Sequence, residues 1–347
     1  MHWEVKKMKS GSITQKSLVT LFILLFSLTL LAGCGQKDQP AAEDQAIQFK
    51  IGHCTWVGYA PLYIAQEKGF FKNHNIAPEM VIIEDESQYA AAITANQIQA
   101  LGNVVDREII HFANGAPIKF VLGMDQSYGG DGIIASAQIS APKDLEGKTV
   151  GLDKASTSYF FFLAVLDKYG VDESKIDIQE MTAGDAGAAF VAGKLDAAVA
   201  WEPWLTQASQ REGGHVLVSS KDFPGYIVDV ISVRQDFIDA HPEAVQGLVE
   251  AWNEAIAWYQ QNPDEGNEIM AKALALSKEE VADMAKGVQF MGKEENRDFF
   301  NAALSEITLY SLTGMASRFW LDKGVIKEAV DARQIIDPTF VEAATAK

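Results

Sequence analysis

Short apolar runs alternate with amphipathic segments through the first two thirds of the chain. Runs rich in β-branched residues predict strands, and segments with an apolar residue every three or four positions predict helices. This alternation is typical of an α/β fold with largely parallel sheets. Strands are predicted at Phe49–Gly52, Met80–Ile83, Ala100–Asn103, Ile118–Gly123, Gly132–Ser136, Thr149–Leu152, Ile176–Glu180, Ala197–Trp201, Val216–Val218 and Ile227–Val233. Helices are predicted at Ala60–Glu67, Ser87–Ala95, Asp106–Ala113, Ser158–Tyr169, Asp185–Ala192 and Pro203–Gln210.

The pattern becomes almost purely helical from about Asp236 onward. A helix is predicted at Glu243–Gln261, and Ser277 with Glu280 has the spacing of a capping box at the start of another. A long amphipathic stretch from Glu294 through Leu312 predicts one further helix. The α/β part is therefore followed by a helical C-terminal segment.

The roughly 300 residues after the N-terminal region exceed the size at which a single core usually stops growing. We therefore expect two lobes, one of residues 47–124 with 229–347 and one of residues 125–228. The chain crosses between them twice, and the glycines of Gly129–Gly132 at the first crossing suit a hinge or a tight turn. Such lobes leave a cleft between them that can close on a small ligand.

The N-terminus reads as a targeting segment. Four lysines precede an apolar stretch from Leu18 to Leu30, which is short for a permanent bilayer-spanning helix. It leads into Leu31-Ala32-Gly33-Cys34, which has the form of a lipoprotein signal. We expect residues 1–33 to be removed, Cys34 to carry a lipid anchor and residues 34–46 to form a flexible tether. The alternative is an uncleaved anchor helix, and either arrangement places the folded part outside the cytoplasm.

Charge and composition exclude several classes of function. The net charge is −18, and it becomes −21 without residues 1–33, which carry four Lys and one Glu. An acidic chain is poorly suited to nucleic acid or to an anionic membrane surface. Cys54 is the only cysteine besides Cys34, so we expect neither a disulfide nor a thiolate metal cluster.

Motifs of catalysis are absent from the sequence. It has no Gly-x-Ser-x-Gly, no His-Glu-x-x-His and no Cys-x-x-Cys, and its histidines are scattered singly. A metal needs several ligands at defined spacing, and a nucleophile needs a base beside it. We therefore expect no catalytic residue, no cofactor and no metal site.

Several segments together resemble one family of binding proteins. Residues 54–61 and the following residues 62–71 resemble the opening of the nitrate, sulfonate and taurine group of ABC-importer substrate-binding proteins. The resemblance continues through residues 144–148, 156–159, 194–204 and Asp229, and it extends from about Ile47 to about Asn262. It implies a two-lobed periplasmic-binding-protein-like fold of type II, and a protein that binds without doing chemistry.

The first group of candidate ligand residues is Ser156, Thr157 and Ser158. They open a predicted helix after the strand Thr149–Leu152, so backbone N–H groups and hydroxyls converge where the helix dipole favours a negative group. An oxyanion such as a sulfonate fits such a place. Ordinary capping of the helix by Ser156 is the alternative interpretation.

Aromatic residues form the second group. Trp56 precedes Gly58 and Tyr59, and the small Gly58 permits close approach of the backbone to a ligand. Trp201 ends an apolar strand of the second lobe, where it can contact a ligand or simply pack between the lobes. We expect Trp56, Gly58, Tyr59 and Trp201 to lie at the cleft.

Acidic residues complicate the anion interpretation. Asp229 matches the place where taurine-type relatives carry an Asp that can hold an amine, and Glu202 and Asp106 also follow predicted strands. An acid beside an indole is how proteins hold guanidinium or quaternary ammonium ions. The sequence thus admits a zwitterion such as an aminosulfonate, or a small cation. The run Glu84–Glu86 is interpreted as a solvated loop and helix start.

The sequence therefore predicts a monomeric, lipid-anchored binding protein on the extracytoplasmic side of the cell membrane. It captures a small sulfonate, taurine-like or nitrate-like solute by lobe closure and delivers it to an ABC permease and its ATPase. A binder of guanidinium or another nitrogen compound is the alternative. A ligand sensor is a further class, and a pyrimidine-precursor enzyme of the same fold family is disfavoured because its cysteine-rich motif is absent.

Overall fold

The computed structural model describes residues 46–304 and 307–346. The predicted signal peptide of residues 1–33, Cys34 and the predicted tether up to residue 45 lie outside the described residues. The chain from Ala46 onward forms one compact unit. Among the helices described, none combines the length and apolar character needed to cross a bilayer.

Strands and helices alternate up to residue 240 and helices dominate afterwards. The strands are β1 (Ile47–His53), β2 (Ile76–Ile82), β3 (Ala100–Val104), β4 (Ile118–Ser127), β5 (Asp131–Ser136), β6 (Thr149–Leu152), β7 (Asp177–Glu180), β8 (Ala197–Trp201), β9 (Gly214–Ser219), β10 (Val228–Arg234) and β11 (Val288–Phe290). The helices are α1 (Pro61–Glu67), α2 (Phe70–Asn73), α3 (Tyr89–Thr94), α4 (Val105–Ala113), α5 (Thr157–Tyr169), α6 (Ala183–Val191), α7 (Trp204–Ser209), α8 (Gln235–Ala240), α9 (Pro242–Gln261), α10 (Pro263–Leu274), α11 (Lys278–Met284), α12 (Lys293–Phe299), α13 (Leu309–Asp322), α14 (Ala332–Ile335) and α15 (Thr339–Thr345).

The strands form two mixed sheets. The first has the order β11-β4-β10-β3-β1-β2 and the second has the order β7-β6-β8-β5-β9. Within the first sheet β1 pairs in parallel with β2 and β3, whereas β10 runs antiparallel between β3 and β4. The chain leaves the first sheet after β4, builds the whole second sheet, and returns to the middle of the first as β10. The ends of β4 and β10 therefore lie next to the second sheet.

Helix α5 shows how the core of the second sheet is built. Its three consecutive phenylalanines, Phe160, Phe161 and Phe162, are all buried, so the helix is apolar on several sides. Phe160 packs against Trp320 of α13, with ring centroids 5.7 Å apart. The Trp320 indole N–H in turn donates to the backbone carbonyl of Asp106 at the start of α4, 3.1 Å away. Helices α4, α5 and α13 thus hold one another at the edge of the cleft.

All ten predicted strands are present, with shifted ends. Strand β4 continues to Ser127 because β10 and β11 pair with it on both sides. Strand β11 was missed because its three residues alternate in burial too briefly to form a pattern. The α/β fold predicted from the alternation of elements is confirmed. The expectation of largely parallel sheets is wrong, because β10 and β5 each run antiparallel to both of their neighbours and β11 runs antiparallel to β4.

The predicted single helix from Glu294 to Leu312 is wrong. The structure has two helices there, α12 and α13, with a break after Phe299. The Asn301 side chain accepts a hydrogen bond from the Ala303 backbone N–H, and such local bonds compete with helical ones. Thr308 then caps α13 by accepting from the Ser311 N–H. Amphipathic periodicity alone does not reveal such an interruption.

Candidate functional site

A cavity of about 20 Å³ lies between the two sheets. Its walls come from the ends of β3 and β8, the starts of β5 and β10, and the turn after β1. This volume holds little more than one water molecule, so the sheets are nearly closed on it. The lining residues are Cys54, Trp56, Tyr59, Glu86, Val104, Asp131, Thr157, Trp201, Ile227 and Asp229.

The wall on the side of the first sheet is held by two hydrogen bonds to carboxylates. The Trp56 indole N–H donates to the Asp125 carboxylate, with Nε1 3.2 Å from Oδ1. The Tyr59 hydroxyl donates to Oδ1 of Asp229. Asp125 and Asp229 are direct partners across the β4–β10 ladder, an arrangement in which like charges repel. Two carboxylates are thus brought together at the end of the first sheet.

Gly58 allows this wall to close tightly. It belongs to a short 3₁₀ turn from Val57 to Tyr59 directly after β1. A Cβ at position 58 would overlap the Asp125 carboxylate and the Trp56 indole nitrogen. The close approach expected at Gly58 therefore occurs between parts of the protein itself.

The opposite wall is formed by Asp131 and Trp201 of the second sheet. They face each other in the antiparallel ladder of β5 and β8, and they are 4% and 8% exposed. Trp56 reaches across from the first sheet, because Gly130 has no side chain and a Cβ there would overlap the outer atoms of the indole. The two indoles and the carboxylates thus meet around one small space.

Burial raises the pKa of the carboxyl groups at this space. Burial, followed by repulsion from Asp131 and Asp106, raises the pKa of Asp229 to about 8, although the Tyr59 hydrogen bond opposes the shift. The pKa of Asp131 is raised to about 7 and that of Glu86 to about 8, in both cases mainly by burial. Burial and the nearby Asp229 also raise the pKa of Asp125 well above its usual value. The carboxylates of the cavity lack sufficient counter-charge.

The start of α5 has a different character. Ser156 caps the helix, and its hydroxyl oxygen accepts from the Ser158 backbone N–H at 3.2 Å. The Thr157 hydroxyl donates to Oδ1 of Asp106, 2.9 Å away. A protein carboxylate therefore already lies beside the helix terminus predicted to suit an anion. Thr157 lines the cavity, whereas Ser156 and Ser158 do not.

Two polar atoms near this helix start have no partner. Oδ2 of Asp106 and the hydroxyl of Ser158 are buried without a hydrogen bond to any described residue. Burial raises the pKa of Asp106 to about 6, and nearby Arg107 lowers it. Asp106 does not line the cavity, and the Thr157 hydroxyl that donates to it does.

Glu202 lies outside the cavity lining. Its carboxylate accepts from the Thr206 backbone N–H at 3.0 Å and from the Thr206 hydroxyl at 2.6 Å. It therefore satisfies the first turn of α7. Of the predicted ligand residues, the lining contains Trp56, Tyr59, Thr157, Trp201 and Asp229.

Sequence reasoning missed several residues of the cavity. Asp131 was hidden in the glycine-rich crossing, and Glu86 was assigned to a solvated loop although it lines the cavity. Asp125 does not line the cavity itself, but its carboxylate accepts the hydrogen bond that holds the Trp56 indole. The available signal was that Asp125 and Asp131 flank the first crossing between the predicted lobes. Cys54 also lines the cavity, and burial raises the pKa of its thiol well above the usual value.

Comparison with known proteins identifies the family. The family model described as NMT1/THI5 like matches residues 56–266. The chain therefore belongs to the NMT1/THI5-like family.

Individual relatives agree with this membership. The "Putative aliphatic sulfonates-binding protein" of Bacillus subtilis (strain 168) is 25% identical over 338 residues, which is 95% of this chain and 97% of that protein. The taurine-binding periplasmic protein of Escherichia coli (strain K12) is 23% identical over 266 residues, which is 74% of this chain and 82% of that protein. The crystal structure of the periplasmic aliphatic sulphonate binding protein SsuA from Escherichia coli has a TM-score of 0.69 at 20% identity, covering 84% of this chain and 97% of that one.

These comparisons confirm the resemblance predicted from the motifs. The relatives are named as binding proteins, and two of them as periplasmic. The fold of this chain is that of a periplasmic binding protein.

Proposed function

We propose that the chain is the extracytoplasmic solute-binding component of an ABC importer. It captures a small solute in the cavity between the two sheets and presents the closed form to a permease and its ATPase. The observation that carries this proposal is the cavity itself, which draws polar and aromatic side chains from both sheets. Ligand contacts to both sides favour the closed state, and a permease that recognises this state receives only loaded protein.

The solute class follows from the relatives. Proteins named for aliphatic sulfonates and taurine belong to the same family, so a small sulfonate, taurine-like or nitrate-like solute is the class we propose. A small cation is the second candidate, and the buried carboxylates Asp131 and Asp229 favour it specifically. Trp56, Tyr59, Thr157 and Trp201 contact the solute in either case.

We propose that two lobes move towards each other when the solute binds. One lobe consists of residues 47–124 with 229–347, and the other consists of residues 125–228. In support, the strands of each sheet fall within one of these two sets, except that β4 continues to Ser127 and β10 begins at Val228, so the two crossings lie at the ends of these strands. Only two segments cross between them, which suits a hinge. A lipid anchor on Cys34 of a monomeric protein would keep these lobes at the membrane surface, where repeated encounters with one permease are favoured.

Uptake in living cells tests this proposal. Deletion of the gene is expected to abolish high-affinity uptake of the true solute without altering the transcriptional response to it. Solution scattering on the full chain in detergent is expected to show a smaller radius of gyration once that solute is added. A Cys34→Ala variant is expected to leave the membrane fraction. Unchanged uptake after deletion, or a changed response with normal uptake, would instead favour the sensor.

A further inference from the structure

The carboxylates around the cavity have no cationic partner in the protein. Glu86, Asp131 and Asp229 line it, and the lining contains no Lys, Arg or His. None of these three forms an ion pair with a described residue. Arg107 lowers the pKa of Glu86 but does not form an ion pair with it. Burying uncompensated carboxylates is unfavourable. A bound cation would supply the missing charge.

The carboxylate oxygens of Asp229 and Asp131 at the cavity accept few hydrogen bonds from the described residues. Asp229 accepts from Tyr59 through Oδ1, while Oδ2 accepts no hydrogen bond from the described residues. Among the described residues, the Ser127 hydroxyl is the one donor that lowers the pKa of the Asp131 side chain. These two aspartates belong to different sheets and are 1% and 4% exposed. A ligand with several N–H donors can satisfy both, which a simple anion cannot do.

The aromatic side chains suit the same ligand. Among the described residues, no aromatic ring stacks on Trp56 or Trp201 and no Lys or Arg lies over either indole. Buried acids beside indoles are an arrangement that recognises organic cations, because the ring quadrupole attracts positive charge. His53 does not compete, since it is tied to the Cys54 carbonyl and the Tyr63 hydroxyl and burial lowers its pKa.

An anion and a metal ion fit less well. A sulfonate or nitrate at the start of α5 would lie beside Asp106, which already accepts the Thr157 hydroxyl, and like charges repel strongly at low dielectric. For a metal, no three His, Cys, Asp or Glu side chains converge suitably within residues 46–304 and 307–346. The charge of the cavity and its donor-poor walls therefore point to an organic cation.

We propose that the cavity binds a small nitrogen cation, a guanidinium or primary ammonium group, between Asp229 of one sheet and Asp131 of the other. The inference rests on the proposed function and, of its two candidate solute classes, selects the small cation. Trp56 and Trp201 cover the faces of the cation, and Tyr59 orients Asp229. Because the cavity of about 20 Å³ holds little more than one water molecule, the two sheets must move slightly apart to admit a guanidinium or methylammonium ion.

Guanidinium and nitrate form a matched pair for the test, because both are planar with four heavy atoms and they carry opposite charges. The full chain in non-ionic detergent is titrated calorimetrically with millimolar guanidinium, methylammonium, taurine, nitrate, methanesulfonate and Mg²⁺. Guanidinium or methylammonium is expected to bind, and nitrate, methanesulfonate and Mg²⁺ are not. Taurine distinguishes a free cation from an amine that carries a sulfonate.

Isosteric variants locate the binding. Asp131→Asn and Asp229→Asn are each expected to weaken cation binding at least about tenfold. Asp167→Asn on the exposed part of α5 is the matched control and is expected to change affinity less than about twofold. Loss of one buried negative charge is also expected to raise the Tm of Asp131→Asn, so weak binding by a more stable protein cannot reflect misfolding.

The inference is overturned if nitrate or methanesulfonate binds and the nitrogen cations do not, or if no cation of the panel binds. It is also overturned if cations bind equally well to Asp131→Asn. Closure of the lobes on an anion would leave the proposed function intact and refute only the cation. Failure of every solute to change the radius of gyration or cellular uptake would refute the proposed function itself.

Discussion

The start of helix α5 and the carboxylate pair of the cavity lie close together, yet they differ in how their polar groups are satisfied. At the helix start, Ser156 caps the backbone and Thr157 donates to Asp106. At the carboxylate pair, Asp131 and Asp229 are buried with few donors. The comparison teaches that a helix terminus is no anion site when the protein already places a carboxylate there. The buried carboxylates without a positive partner are therefore the better indication of the charge of the ligand.

The largest effect is expected from Gly58→Ala. The new methyl group would overlap the Asp125 carboxylate and the Trp56 indole nitrogen, so the first-sheet wall must shift. Binding is expected to fall by more than about tenfold, and stability by about 1–3 kcal/mol. Calorimetric titration and thermal unfolding measure the two changes.

Gly314→Ala is the matched control for this variant. It lies within α13, where a Cβ meets nothing nearer than Nη1 of Arg318 at 3.6 Å. Alanine also favours a helix over glycine. Binding should be unchanged and the Tm equal or higher. Normal binding by Gly58→Ala would show that Trp56 and Asp125 do not shape the ligand site.

The second largest effect is expected from pH, which should change the stability and the cation affinity in opposite directions. In the folded state the pKa of Asp229 is about 8 and that of Asp131 about 7, against a usual value of 3.8. The folded protein therefore holds more protons than the unfolded one, and its stability falls as pH rises from about 4 to about 8.

The affinity for a cation is expected to change with pH in the opposite direction to the stability. Binding requires the ionised carboxylates, so the affinity should increase from about pH 4 to about pH 8. The carboxyl groups around Asp229 with raised pKa values are Asp106, Asp125, Asp131 and Glu86, and Arg107 is a nearby positive charge. Tyr59 and Cys54 are kept neutral by raised pKa values. Thermal unfolding and titration at several pH values measure both trends. A Tm that rises from pH 5 to 8 would contradict the account.

The smallest effect is expected at the helix start. Ser156→Ala removes the cap that accepts from the Ser158 N–H and should lower stability by roughly 1 kcal/mol. The preference for guanidinium over nitrate should stay the same, because Ser156 does not line the cavity. Titration of both ions against the variant gives the answer. If Ser156→Ala lost or reversed the preference for guanidinium over nitrate, the start of α5 would have to be part of the ligand site.

The fold was largely predictable because its signals are local. Alternating apolar runs predicted each strand of the two sheets except β11, and the capping box at Ser277 is present. Gly170, placed after an apolar helical pattern, has a φ of 63°, as a left-handed helix end requires. The break between α12 and α13 was not predictable from periodicity, since a few turn residues determine it.

The candidate site was less accessible to sequence reasoning. Strand ends pointed to Trp201 and Asp229, both of which line the cavity. The pairing of Asp229 with Asp125, and of Asp131 with Trp201, depends on register between strands far apart in sequence. The position of Glu86 at the cavity likewise depends on packing between distant segments. The sequence therefore does not show how many carboxylates meet at the cavity. That number, which the folded structure reveals, determines the sign of the charge that the ligand must carry.

A crystal structure of the full chain grown with guanidinium at neutral pH tests the central claim most directly. The account predicts a planar group between Asp131 and Asp229, with nitrogens about 3 Å from carboxylate oxygens of both residues. It also predicts indole faces of Trp56 or Trp201 against the plane of that group. A cavity without guanidinium, together with an anion bound at the start of α5 beside Thr157, would contradict it.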